Sequence, residues 1–152
     1  MFFNLIHSDR KFYVPADFCH AFKNYEGQPT NVHEQMDIDE FSGILFDRLE
    51  YQMKGTLFEN SIKDFFGGVF SNEIICKGCP HFSETEESFL SVSLSVKNKK
   101  NIYQSLDTMI KGDTLEGDNA YLCERCNKKV AAVKRVCFKQ LPDHLFLTLK
   151  RF

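Results

Sequence analysis

The sequence has no tryptophan and no excess of charge of either sign: 19 Lys and Arg face 21 Asp and Glu across 152 residues, a net charge of −2. A dedicated nucleic-acid binder carries a basic excess or a basic stripe, so no nucleic-acid partner is expected. Long apolar runs are missing as well. They stay as short as Val130-Ala131-Ala132-Val133, far below the roughly 20 residues of a membrane-spanning helix. The opening Met-Phe-Phe-Asn-Leu-Ile-His is too short for a signal-peptide core and runs into Asp9, Arg10 and Lys11. A protein without membrane contact is expected, in the cytoplasm, with the nucleus as a further location. No phosphate-cradling glycine loop, internal repeat or low-complexity tract is present. The apolar 43% and charged 26% describe a globular chain of one domain's length. The aromatic content is concentrated in sixteen Phe, read as core packing.

Cysteine is where the composition turns specific. Six stand at positions 19, 76, 79, 123, 126 and 137, and four of them form the pairs Cys76-Lys-Gly-Cys79 and Cys123-Glu-Arg-Cys126. Nothing signals secretion, and intracellular disulfides are rare, so a disulfide framework fits poorly. A dithiol redox motif explains one such pair but not two. Zinc explains both, because each knuckle aims two thiolates at one point and two knuckles complete a four-sulfur tetrahedron. Cys79 and Cys123 lie much farther apart in sequence than the about 15 to 20 residues of a compact ribbon. The fold must therefore bring the knuckles together around a sizeable insertion.

Local patterns supply the parts. Pro15 in a first turn, with Phe18 and Phe22 on one face, predicts a helix within 12–25. Asn31 and Glu34 resemble a capping box, and Ile38, Phe41, Leu45 and Leu49 recur at helical spacing, predicting a helix over about 32–52. A short helix over 57–66 ends at Gly67-Gly68. The period then becomes two: a strand over 69–75 enters the first knuckle, and Leu90, Val92, Leu94 and Val96 alternate with serines in a half-buried strand. A helix over about 102–110, with Leu106 and Ile110 inward, precedes a Gly/Asp-rich loop and the second knuckle. Strands over 130–139 and 145–152 follow, with Leu145, Leu147 and Leu149 on one face. The chain stops inside that strand pattern, as a piece of a larger domain would.

Chemistry beyond the knuckles is sparse. Cys19 is next to His20, but sequence neighbours on a helix do not face each other. Cys137 lies in a strand. Both read as buried, inert thiols. The five histidines form no spaced pair, and two complete cysteine pairs leave His81 surplus as a ligand. Asp37 and Glu40 share one helix face; that pattern is most often a solvated surface and otherwise an anionic clamp for an arginine-bearing ligand. Lys128, Lys129, Lys134, Arg135 and Lys139 read as the solvent side of a strand.

In order along the chain, these parts resemble a known family. Glu34-Gln35-Met36-Asp37-Ile38-Asp39-Glu40-Phe41 resembles the Gln-Gln-Asp-box helix of ubiquitin-specific proteases, with Met36 departing from the usual second Gln. Phe66-Gly67-Gly68 leading to Cys76-x-x-Cys79, then Glu87-Ser88-Phe89-Leu90-Ser91-Val92, then Tyr121-x-Cys123-x-x-Cys126, resemble the family's zinc-bearing fingers. Leu141-Pro142-x-x-Leu145 with Leu149-Lys150-Arg151-Phe152 is similar to its palm strand. Leu115-Glu116-Gly117-Asp118-Asn119-Ala120-Tyr121 is most similar to the fat-facets-type large members. The resemblance implies an α+β fold, an incomplete papain-like catalytic domain. Helices of the thumb would occupy about 1–65, antiparallel β fingers with a four-cysteine zinc site and an inserted helix about 66–139, and the start of the palm sheet about 140–152. It implies structural zinc on Cys76, Cys79, Cys123 and Cys126. It also implies ubiquitin and ubiquitinated proteins as partners, with Asp37 and Glu40 on the ubiquitin tail. The family's Cys box lies upstream and its His box downstream of this stretch, so no triad residue is expected here. The expected role is the ubiquitin-gripping part of a thiol protease that hydrolyses the bond after ubiquitin's C-terminal Gly, the segment alone being inactive. A zinc-stabilised binding module without catalysis fits the same residues, and a nucleic-acid-binding zinc ribbon fits less well.

Overall fold

The structure, a computed structural model, describes residues 2–151; Phe152, the last residue of the palm-strand motif, lies outside them. Helices and mainly antiparallel sheets alternate along the chain, the α+β class expected. The chain divides into two units, residues 1–48 and 49–152.

The first unit holds α1 (Phe2–His7), α2 (Ala16–Ala21) and the start of α3 (Ile38–Met53). Sequence periodicity showed no sign of α1, which is too short to display a period. Pro15 stands just outside α2 instead of in its first turn. Phe18 and Phe22 stack with ring centroids 5.8 Å apart, and Phe22, buried, meets Phe41 at 4.8 Å. The loop over 23–30 is drawn together by a bridge between Lys23 and Pro29, with Gly27 at φ +79. Arg48 fastens it by donating to the Lys23 and Asn24 carbonyls at 2.8 and 2.9 Å.

The expected capping box is not formed. Asn31 accepts from the amide of His33 at 3.0 Å, a side-chain turn that competes with helix, and α3 begins only at Ile38. Its cap is Asp37, whose Oδ1 accepts from the amides of Asp39 at 2.7 Å and Glu40 at 3.4 Å. The buried face of α3 is also shifted: Ile38 and Leu49 are exposed, and Ile44 and Ser42 are buried. Ser42 is accommodated because its hydroxyl donates back to the Ile38 carbonyl at 2.7 Å.

In the second unit, α4 (Ser61–Phe66) is shorter than expected, with Leu57 and Phe58 exposed on the turns before it. It leads into β1 (Gly68–Cys76), β2 (Phe82–Phe89) and β3 (Val92–Ser95). Then come α5 (Ile102–Lys111), β4 (Asp113–Leu115), β5 (Tyr121–Cys123), β6 (Lys128–Val130), β7 (Ala132–Gln140) and β8 (Leu147–Lys150). The main sheet has the order β2-β1-β7-β4, and β3 pairs in parallel with β8. Sequence reading missed β2, whose Phe-Ser-Glu-Thr-Glu-Glu-Ser-Phe lies on an edge with most of its side chains exposed. The alternation in β3 held: Val92 and Leu94 are buried and the serines exposed.

The core packs one face of this sheet against β3, β8 and α5. Phe70, Phe89 and Phe138 form a ring cluster with centroids 4.1 to 5.9 Å apart, joined by Val92, Leu94, Leu106, Met109, Leu147 and Leu149. Met109, not Ile110, completes the inner side of α5; Ile110 is exposed, and so is Leu145. Phe is not uniformly core: Phe3, Phe12, Phe58, Phe65 and Phe82 are exposed. The opposite face of the sheet carries cross-strand ion pairs. Arg135 pairs with Glu73 at 2.6 Å, and Lys139 with Glu84 at 2.9 Å and Glu86 at 2.6 Å. Two of the five cations expected to face solvent are thus cross-strand partners.

Candidate metal centre

The pairing of β7 with β1 joins the two knuckles. Cys76 ends β1 opposite Ala132, the first residue of β7, and β7 follows β6 directly. The amide of Lys77 donates to the Ala131 carbonyl at 2.8 Å, and that of Cys76 to the His81 carbonyl at 3.2 Å. The second knuckle is the β5–β6 hairpin, with Asn127 at φ +49 in its turn, a conformation Asn tolerates better than most residues. The long insertion between the knuckles is therefore β2, β3, α5 and β4, and the sheet, not the sequence spacing, brings the sulfurs together.

The sulfurs of Cys76, Cys79 and Cys123 all lie within 4.8 Å of one another, and Cys79 and Cys123 are 3.6 Å apart. Cys126 packs against the same group without being one of those three sulfurs. Sulfurs at about 2.3 Å from one tetrahedral zinc would stand about 3.8 Å from each other, so the spacing of these three fits that ion. Val130 and Tyr121 shield the cluster, and Cys123 has no exposed surface. Acidity divides unevenly among the thiols. Burial and the thiols of Cys123 and Cys79 push Cys76 up to about 12. The thiol of Cys79, burial and then Cys123 raise Cys126 to about 11. Burial opposes ionisation of Cys123 too, but the amides of Cys126 and Arg125 and the thiol of Cys79 bring it down to about 7. Thiols so crowded cannot all ionise unaided, and a divalent cation is what would let them. The side chain of His81 is not in the cluster.

Asp37 and Glu40 lie in the other unit, Asp37 at the cap of α3 and Glu40 on its first turn. Both are exposed. One oxygen of Asp37 is committed to capping; the side chain of Glu40 makes no hydrogen bond or ion pair among the described residues. The neighbouring Tyr25 hydroxyl donates to Asp47 at 3.1 Å, and that bond raises its pKa. Sequence reading did not find this pair, which joins a loop to a helix far along the chain. Cys19 and Cys137 are half-buried instead of buried, and neither thiol hydrogen-bonds a histidine among the described residues. His144 instead meets the rings of Phe65 and Phe66, each at 5.8 Å.

Comparison with known proteins agrees with these features. The family model for ubiquitin carboxyl-terminal hydrolase matches residues 1–152. Ubiquitin carboxyl-terminal hydrolase 9X of Mus musculus is 43% identical over 152 residues, all of this chain and 6% of the relative. Ubiquitin carboxyl-terminal hydrolase 34 of Homo sapiens is also 43% identical, over all of this chain and 4% of its own length. The probable ubiquitin carboxyl-terminal hydrolase FAF of Drosophila melanogaster is 40% identical, over all of this chain and 5% of its own length. The chain thus spans about a twentieth of these curated relatives, and it belongs to the ubiquitin carboxyl-terminal hydrolase family.

Proposed function

We propose that this chain is the ubiquitin-gripping middle of a deubiquitinase catalytic domain. Residues of about 1–65 would form part of the thumb, about 66–139 the fingers, and about 140–152 the start of the palm. The observation that carries the reading is the meeting of two distant cysteine knuckles at the end of a four-stranded sheet, in a chain matched along its whole length by the family. Cys76, Cys79, Cys123 and Cys126 would hold one zinc, which supplies cross-linking and no step of turnover. The fingers would hold ubiquitin's globular body, and Asp37 with Glu40 its arginine-containing tail. In the parent protein the reaction would be thiolate attack on the carbonyl after ubiquitin's C-terminal Gly, an acyl-enzyme, and its hydrolysis by water. The nucleophile and base are assigned to no residue of this chain, and the site of action is placed in the cytoplasm or nucleus.

The clamp is tested by separating charge from capping. Asp37→Asn keeps a good N-cap while removing the charge, and Glu40→Gln is nearly isosteric. In the parent protein the double variant should bind ubiquitin at least about tenfold more weakly, about 1.4 kcal/mol, with its melting temperature unchanged. Equal affinity, measured by titration of labelled ubiquitin, would leave Asp37 a helix cap and Glu40 an ordinary surface acid.

The isolated chain should release no fluorophore from a ubiquitin C-terminal amide. Turnover that vanishes with Cys19→Ala or Cys137→Ala would show that the catalytic centre has been misplaced. A non-catalytic binding module shares the first result, and the parent protein's own turnover separates the two readings.

A further inference from the structure

Within the second unit a cavity of about 520 Å3 opens where α4 runs into β1. Phe89 and Leu90 give it an apolar wall. The main chain passes closely here, because a Cβ on Gly68 would overlap the Phe89 ring. Two carboxylates border the same space, Glu50 from the last turns of α3 and Asp64 from α4. Glu50 is half-buried, yet among the described residues neither its carboxylate nor that of Asp64 makes a hydrogen bond or an ion pair. Lys63, the only cation lining the cavity, is likewise unpaired among the described residues, so two negative charges face one positive.

An apolar wall beside uncompensated carboxylates suits one kind of side chain. Lysine and arginine bury an aliphatic stem against apolar surface and keep a charged head at its edge. Withdrawing a carboxylate from water is unfavourable until a cation meets it. The cavity also lies at the root of the sheet to which ubiquitin's folded body is assigned above. We propose that it receives a basic side chain projecting from that body, with the stem against Phe89 and Leu90 and the head toward Glu50 and Asp64. The inference rests on the ubiquitin reading and adds to it a second acidic subsite, separate from Asp37 and Glu40.

The test titrates the parent protein with ubiquitin and with single alanine variants of each surface lysine and arginine of ubiquitin. Glu50→Arg should weaken binding about tenfold, and the near-isosteric Glu50→Gln about threefold to tenfold, with thermal melts showing both folded. One ubiquitin variant should weaken binding to the parent protein by a similar factor and cost Glu50→Gln nothing further, which is the signature of direct pairing. If both Glu50 variants bind like the parent, or no ubiquitin cation couples to Glu50, the cavity assignment is overturned while the ubiquitin reading stands. If the parent itself does not bind ubiquitin, both readings fall.

Discussion

Cys76→Ser should abolish zinc binding and melt the second unit's knuckles, the largest effect expected of any single substitution in this chain. A structural zinc site contributes on the order of 10 kcal/mol of folding free energy, comparable with the whole stability of an ordinary domain. The metal-free alternative here is a set of crowded thiols, two buried and two half-buried, with Cys76 and Cys126 raised to about 12 and about 11. Cys126→Ser should behave alike if each knuckle supplies half of the proposed shell. Cys137→Ser should retain full zinc, since Cys137, unlike Cys126, is not among the residues packed in the cysteine cluster. The measurement is zinc per chain on freshly purified, reduced protein, with amide exchange across β5, β6 and the end of β1. One zinc per parent chain, and less than about a tenth of that in the two ligand variants, is the expected result. No zinc on the parent chain would end the metal assignment.

Gly112→Ala should be the most damaging substitution outside the knuckles. Gly112 closes α5 at φ +68 and ψ −172, a region open to little besides glycine. A Cβ there would also overlap the Lys134 carbonyl and the Arg135 side chain on β7. Backbone strain and forced repacking add to about 3 kcal/mol or more, which for a unit of this size corresponds to a drop in melting temperature on the order of 15 °C. Gly27→Ala is the control. Its φ is +79 but nothing lies within 4 Å of the added methyl, so only the strain remains, about 1 kcal/mol. Similar melting temperatures for the two variants would show that α5 and β7 are not in close approach at Gly112.

What the sequence made legible followed from how local each signal was. The alternation of β3 and the extent of α5 are each set within about ten residues, and the structure reproduces them; of the two cysteine pairs it brings Cys76, Cys79 and Cys123 within 4.8 Å of one another. The start of α3 was misplaced because Asn31 offers a side-chain acceptor in either conformation; only the amides it meets, that of His33 here, decide which. The strand β2 was invisible because its inward residues become apolar only at Phe89, while Lys139, which organises its glutamates, is 55 and 53 residues away. The cavity at Glu50 left no pattern in the sequence, since its walls come from four separate segments.

The same ladder of charges on β2 carries a consequence for alignment. A strand with polar residues on both faces has little to prevent it from sliding along its neighbour. Here Phe89 locks one end, opposite Gly68 and stacked on Phe70 at 4.1 Å. Lys139 holds the middle by gripping Glu84 and Glu86 together. A slip of one residue would turn both glutamates toward the opposite, ring-bearing face and leave Ser88 or Leu90 where the ring must sit. Exposed ion pairs of this kind add well under about 1 kcal/mol each to stability. Their contribution is to separate the correct alignment from its nearest competitors, and so to keep an edge strand of eight residues from drifting out of phase with the sheet that ends in the two knuckles.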